Sequence, residues 1–322
     1  MSQGLLARWL ASAPPDAAIE IAAEGVSVGV LGTRGSEPFV QGFAAASLPA
    51  GAVVPSLTSP NIADRGAVLA ALRSACDRLG QRPRRAALIV PDLAARVSLV
   101  RFDQVPARRD DLDQLIRWQV KKSSPFPADD ACVTYSPGAR SAGGAEFLVV
   151  SARRETIRDY ETVCDDAGIY AGLVDISTLC VVNLFLSRES TPAEDWLVVH
   201  LRPDYASIAI MRGADVIFFR NRAEGDADGL ADVVHQTVMY YQDRLEGRGF
   251  GRVFIGGTGK TPGAVDAARR DLESRVGTPV EAIDATRVAA PADRISMTAD
   301  QRASLAPLVG MLLRTQREVV PA

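Results

Sequence analysis

Histidine is scarce in this sequence, with only His200 and His235 among 322 residues. Ser-His-Asp triads and most zinc sites are built on histidine, so the chain has few residues for either chemistry. The four cysteines lie far apart and form no C-x-x-C pair: Cys76, Cys132, Cys164 and Cys180. Such spacing predicts small buried side chains in a reducing compartment, not a disulfide or metal framework.

Long apolar runs are also missing, and so is a strong charge of either sign. No run approaches the roughly 18 residues that a membrane-spanning helix needs. The net charge is −3, which argues against a nucleic-acid-binding face. The amphipathic stretch 5–10, ended by Pro14 and Pro15, lacks the apolar region of a signal peptide. We therefore expect a helical arm over residues 1–15 that packs on the body of the protein or is frayed in solvent, with a weak membrane-surface contact as the alternative.

The remaining sequence has an ordinary globular composition, with 47% apolar and 23% charged residues, and the same order of elements occurs twice along it. In each half, three strand-like runs separated by turn residues precede a helix and a further buried strand. The ranges are 18–22, 26–31, 38–48, 63–79 and 86–90, then 197–201, 206–211, 216–221, 230–245 and 253–255. This order predicts an α/β protein with an internal duplication, divided into domains at 16–190 and 191–322.

Residues 92–165 predict a small α+β insert in the first domain. A strand at 96–102 leads to a helix at 110–122, which Pro125-Phe126-Pro127 stops. Two strands, 132–136 and 147–151, flank a predicted loop over the Gly/Ser/Ala-rich residues 137–145, and a helix follows at 155–167.

The segment Gly256-Gly257-Thr258-Gly259-Lys260-Thr261 invites comparison with a phosphate-binding loop. That loop needs a further glycine five positions before Gly259, where this chain has Phe254 within a predicted strand. The motif therefore fails. Two interpretations stay open: a strand-to-helix turn where the backbone approaches a flat ligand, or a plain turn.

Six distinctive blocks occur in chain order: RFDQVP at 101–106, SPFP at 124–127, SARRE at 151–155, DAGI at 166–169, LVDI at 173–176 and GMLLR at 310–314. Together they resemble the PilM family. The resemblance spans about residues 16–316, which makes it more specific than any single motif.

This resemblance implies an actin-like ATPase fold (a duplicated βββαβα, two-domain α/β fold) related to FtsA, with the insert as subdomain 1C and residues 191–322 as subdomains 2A and 2B. PilM proteins are cytoplasmic components of type IV pilus machines, at the inner face of the inner membrane. They hold the cytoplasmic tail of PilN, a single-pass inner-membrane protein, in a groove on subdomains 1A and 1C. The candidate groove walls here are Ile116, Trp118, Val120 and Phe126, with the core of the insert as the alternative for each. An oligomer is possible, and no nucleic-acid partner is expected.

The nucleotide motifs depart from the family pattern. The first phosphate motif falls on Glu20, Ala22 and Ser27, where alanine replaces a glycine. The second falls on His200 and Arg202, and histidine cannot replace a carboxylate for Mg²⁺ because that ion prefers oxygen ligands. Only the adenosine-type element, Gly256, Gly257 and Thr258, keeps its pattern.

We therefore expect a scaffold or adaptor that binds a PilN-like tail, with no catalytic residues and no cofactor. The alternative is an ATP-binding and hydrolysing protein, or a kinase of the same fold, that uses ATP with Mg²⁺. A carboxylate directed into the interdomain cleft from Asp175, Glu224 or Asp226 would favour the alternative. A third hypothesis is an FtsA-like polymer.

Overall fold

Three β-sheets organise the chain in a computed structural model that describes residues 15–141, 143–187, 194–225, 229–293 and 295–319. The strands, numbered along the chain, are β1 Ala17–Ala22, β2 Gly25–Arg34, β3 Glu37–Ser47, β4 Arg85–Val90, β5 Ala95–Phe102, β6 Ala131–Ser141, β7 Gly144–Arg153, β8 Tyr170–Ile176, β9 Trp196–Leu201, β10 Tyr205–Arg212, β11 Asp215–Ala223, β12 Arg252–Gly257, β13 Val280–Ala282 and β14 Ala290–Pro291. The helices are α1 Arg65–Leu79, α2 Arg109–Ser123, α3 Arg154–Asp166, α4 Ser177–Leu186, α5 Leu230–Arg244, α6 Ala264–Val276, α7 Ala299–Ala303 and α8 Leu305–Val319. The predicted arm at 1–15 lies almost wholly outside the described residues.

The first sheet has the strand order β14-β3-β2-β1-β4-β8. Its centre is β1, whose six residues are all buried. β1 pairs antiparallel with β2 and parallel with β4, so the predicted hairpin and crossover are both present. α1 makes that crossover and ends at Gly80, which has the left-handed φ of 74° expected of a helix-terminating glycine.

The second sheet repeats this arrangement with the order β11-β10-β9-β12-β13. β9, β10 and β11 form an antiparallel meander, and β12 returns parallel to β9 after α5. The duplication predicted from element order is therefore confirmed, and the two β-hairpins β1–β2 and β9–β10 hold equivalent places in their sheets.

The insert is a third, antiparallel sheet with the order β5-β7-β6. One face is covered by α2, whose Ile116 and Val120 pack against Val100, Phe147 and Val149. The loop predicted at 137–145 is wrong, because β6 continues to Ser141 and β7 begins at Gly144. Cross-strand hydrogen bonds satisfy the backbone of this Gly/Ser/Ala-rich segment and override its low strand propensity.

Two elements at the end of the chain join the first sheet. β14 pairs with β3, and α8 packs against α4 and against strands β1, β2 and β4. The buried helix α4 is absent from the sequence prediction because its sequence, STLCVVNLFL, is apolar nearly all round and has no 3.6-residue period. These contacts attach the last segment of the chain to the first sheet. A domain boundary at residue 190 stays a prediction.

Among the described residues, no helix is long and apolar enough to cross a membrane. Helices α4 and α8 pack against each other with their backbones in close contact. Gly310 permits this approach, because a Cβ there would lie 1.9 Å from the carbonyl oxygen of Cys180.

We predict that Gly310→Ala lowers the free energy of unfolding by about 2 kcal/mol, because a methyl group would force the two backbones apart. Chemical denaturation followed by circular dichroism measures this. The control is Gly66→Ala in α1, where the nearest atom to a new Cβ is 3.4 Å away, so we expect little change or a slight gain. Equal stability of the two variants would contradict the close packing of α4 on α8.

Candidate functional site

A buried ion cluster joins the two sheets where the β1–β2 and β9–β10 hairpins face each other. The Arg202 side chain is only 3% exposed, and its Nη2 lies 3.4 Å from Glu20 Oε1 and 3.1 Å from Glu24 Oε1. Arg202 belongs to the second sheet, and both carboxylates belong to the first. The cluster therefore bridges the cleft between the two halves.

The local sequence positions each partner. Glu20 is the one charged residue in the buried strand AAIEIA, and the Ser177 hydroxyl at the start of α4 donates to its Oε1 at 2.6 Å. Arg202 follows β9, and its backbone N–H donates to the Tyr205 carbonyl oxygen, which closes a tight turn. The turn therefore directs Arg202 toward the first sheet.

Burial and charge act against each other in this cluster. Burial raises the pKa of Glu20, while Arg202 and the Ser177 hydroxyl lower it. Burial disfavours the charged guanidinium, yet Glu20 and Glu24 together raise the pKa of Arg202. Arg202 therefore stays charged, and the carboxylates around it compensate that charge.

Asp92, in the short 3-10 turn Asp92–Ala94 after β4, forms a second bridge across the cleft. Its carboxylate accepts from the Thr178 backbone at 2.9 Å, from the Thr178 hydroxyl, and from Ser207 Oγ on β10 at 2.5 Å. Its backbone N–H donates to the Tyr205 hydroxyl oxygen, and its carbonyl accepts from Asn221 Nδ2, both at 3.2 Å. Burial raises the pKa of Asp92, and these donors oppose the shift.

His200 joins this network from β9. Its Nδ1 lies 3.0 Å from Thr178 Oγ1. Since the Thr178 hydroxyl hydrogen goes to Asp92, Nδ1 donates and Nε2 is left as an acceptor. Nε2 is buried without a hydrogen-bond partner among the described residues. Burial, followed by the nearby Arg202, lowers the pKa of His200 to about 3, so the ring is neutral at physiological pH.

The Gly256-Gly257-Thr258 segment also lies at the cleft between the two halves. Thr258 Oγ1 donates to Glu24 Oε1 at 2.9 Å, which adds another bond between the two halves. Gly257 has a φ of 107°, and a Cβ there would lie 2.0 Å from the Leu201 carbonyl oxygen. The glycine is therefore required by contact between β12 and β9 inside the second half.

The structure brings most of the predicted nucleotide residues together. Glu20, His200, Arg202 and Thr258 take part in the cross-cleft contacts, whereas Ala22 and Ser27 lie on the β1–β2 hairpin without a part in them. Sequence reasoning missed Glu24, Asp92, Ser177, Thr178, Tyr205, Ser207 and Asn221. The sequence does contain signals for some of these residues. They are an acid shortly after the buried strand β4 and single polar residues in otherwise apolar strands.

Two of the three carboxylates considered for a catalytic role are engaged elsewhere. Glu224 pairs with Lys260 at 2.5 Å on the surface of the second half, and Asp175 pairs with Arg314. Asp226 lies outside the described residues. Within the described part of the chain, no group of three or more His, Cys, Asp or Glu side chains is arranged to hold a metal ion.

A groove runs between the insert and the first sheet. The face of the third sheet opposite α2 carries Leu148, Val150 and Ala152, and it looks toward edge strand β8. Two adjoining cavities, of about 280 and 340 Å³, share Thr134, Val150 and residues 173–175 as walls.

Of the four predicted groove residues, none lines these cavities. Ile116 is 1% exposed and Val120 is 5% exposed, so both belong to the core of the insert. Trp118 is 56% exposed on the outer side of α2, with Lys122 Nζ 3.3 Å from its ring centroid, and Phe126 is half-buried. The core alternative therefore holds for Ile116 and Val120, because the apolar face of α2 packs on the sheet. A part for Trp118 and Phe126 in partner binding stays a prediction.

The family model described as type IV pilus assembly protein PilM matches residues 18–247. The chain belongs to the PilM family. Its structure is similar to that of a PilM-PilN type IV pilus biogenesis complex, with a TM-score of 0.78 and 15% identity over 95% of this chain and 99% of that one. A Bacteroides thetaiotaomicron protein of unknown function with an actin-like ATPase fold gives a TM-score of 0.50 and 10% identity, over 90% of this chain and 94% of that one. No curated protein matches the sequence. The actin-like fold predicted for this chain is confirmed.

The fold family implies ATP with Mg²⁺ in the cleft, and the residues present do not fit that group. Phosphates need approachable backbone N–H groups and Mg²⁺ needs oxygen ligands. Here the buried Arg202 side chain spans the cleft to Glu20 and Glu24, and neutral His200 stands at the position matched to a metal-positioning aspartate.

We predict that His200 makes stability depend on pH. The unfolded chain takes up a proton on this ring near pH 6.5, but the folded chain does so only near pH 3, so stability falls as pH drops through this window. Between pH 7 and pH 5 the loss from His200 is about 2 kcal/mol.

The measurement is the free energy of unfolding at several pH values for the wild type and His200→Asn. Comparing the two removes the opposite contributions of Glu20 and Asp92, whose pKa values are raised. His235→Asn, at an exposed position of α5, is the control. Parallel pH profiles for wild type and His200→Asn would contradict the prediction.

Proposed function

We propose that this chain is an adaptor in type IV pilus assembly, and that it holds an extended cytoplasmic segment of a PilN-like inner-membrane protein in the groove between the insert and β8. The observation that carries the proposal is this groove, on a chain of the PilM family whose fold matches that of a PilM-PilN complex. Binding such a partner would place the protein at the inner face of the membrane.

The groove has the physical features of a peptide site. β6 and β8 are edge strands of their sheets, so each has backbone N–H and C=O groups free to pair with an added strand. Between them, apolar side chains such as Val150, Leu173 and Val174 provide walls for alternate side chains of that strand. The combination fits an extended peptide better than a compact small molecule.

We also propose that this function does not use ATP. Arg202, Glu20 and Glu24 hold the two halves together directly, and Thr258 adds a further bond to Glu24. A nucleotide would have to break these ion pairs and leave buried charges unpaired, which is strongly unfavourable. The cleft therefore has a structural role in keeping the two halves closed.

We predict that Thr134→Arg lowers affinity for the partner segment at least tenfold, because a long cationic side chain at this exposed wall position would fill the groove. Fluorescence anisotropy with a labelled peptide of the PilN-like tail from the same organism measures the affinity. Ser123→Arg, exposed at the end of α2 away from the groove, is the matched control. Wild-type affinity in Thr134→Arg would place the peptide elsewhere.

We predict no saturable heat when the protein is titrated with Mg-ATP up to millimolar concentration in a calorimeter. The tail peptide, titrated into the same sample, is the positive control for folded protein. Magnesium-dependent, saturable binding of ATP would overturn the proposal that the cleft is closed to nucleotide and would favour the ATPase alternative.

A further inference from the structure

One end of the groove is built from three separate parts of the chain. The cavity of about 340 Å³ is lined by the β6–β7 hairpin of the insert, by α4, and by the turn between β10 and β11 of the second half. Arg314 of α8 also lines it. The second half therefore contributes a wall to a groove that otherwise lies between the insert and the first sheet.

The charges in this cavity do not balance. Asp175 is compensated by its ion pair with Arg314, which leaves Asp215 as the uncompensated charge. Asp215 and the amide of Asn183 both line the cavity and are half-buried. Neither side chain makes a hydrogen bond or ion pair within the described part of the chain. A half-buried carboxylate without a donor is an open site for a cation.

The rest of the wall is apolar, with Leu148, Val182, Leu186 and Val216 among its residues. An apolar wall beside a single carboxylate suits a ligand with an aliphatic stem and a charged end. The volume lies near the lower limit of roughly 300 Å³ for ligand pockets, so it suits one side chain or one chain end, not a larger molecule.

We infer that this end of the groove is a subsite for a cationic N–H group of the bound segment, either a lysine or arginine side chain or the N-terminal ammonium. Asp215 accepts a charge-assisted hydrogen bond from the cation, and the Asn183 carbonyl oxygen accepts a second one. The inference rests on the proposed function, because the occupant is the segment held in the groove. Because Asp215 belongs to the second half of the chain, that half contributes to the selectivity of the groove for its segment.

The test uses the full chain and the labelled tail peptide of the PilN-like protein. Asp215→Asn keeps the shape and removes the charge, so we expect affinity to fall about tenfold and its dependence on ionic strength to flatten. Asn183→Leu should reduce affinity by a smaller factor. Asp266→Asn, an exposed aspartate of α6 that does not line the groove, is the control and should bind as the wild type.

Two changes in the peptide distinguish the sources of the cation. Acetylation removes the N-terminal charge, and norleucine in place of each lysine or arginine in turn removes a side-chain charge. We expect one of these modified peptides to bind the wild type about tenfold more weakly than the unmodified peptide does. The same modification should leave the affinity for Asp215→Asn unchanged.

The outcomes separate this inference from the proposed function. Failure of the unmodified peptide to bind the wild type would overturn both. Binding that is equally tight, and equally salt-dependent, in wild type and Asp215→Asn would overturn the cationic subsite alone and leave the groove as the peptide site. Unchanged binding of every modified peptide would also overturn the subsite.

Discussion

The buried guanidinium of Arg202 is the constraint on which the relation between the two halves depends. A charge that is 3% exposed must be compensated, and its compensating carboxylates, Glu20 and Glu24, lie on the other half. The halves therefore cannot separate without leaving unpaired charges, and Asp92 reinforces the contact through Ser207, Tyr205 and Asn221. Actin-like proteins commonly place a nucleotide at this position between two hairpins. In this chain the polypeptide itself makes the connection.

That connection has consequences for the groove. The start of β11, which carries Asp215 and Val216, belongs to the second half but forms part of the groove wall. Its position relative to the insert follows from how the halves are held at the ion cluster. The closed cleft thus keeps the wall from the second half in place beside the insert.

The two faces of the insert sheet have different surroundings. Alternate residues of β7 point to opposite faces, so Phe147 and Val149 pack under α2 while Leu148 and Val150 line the groove. Sequence reasoning placed the groove on α2 because its amphipathic pattern was the stronger signal. An amphipathic helix, however, covers its apolar face with the nearest sheet, and the half-buried face of that sheet has no equally clear pattern.

Apart from α4 and the β6–β7 hairpin, the sequence by itself determined most of the elements and their order. Strands and helices arise from local periodicity and turn chemistry, so β1–β2, β9–β10 and Gly80 at the end of α1 could be predicted, as could the duplicated fold and the unusual Glu20, His200 and Arg202. Only the tertiary structure decided what those residues contact. Glu20 and Arg202 are 182 positions apart in the chain, and Asp92 and Ser207 are 115 apart. Pairing over such separations follows from sheet packing and burial, which no local pattern records.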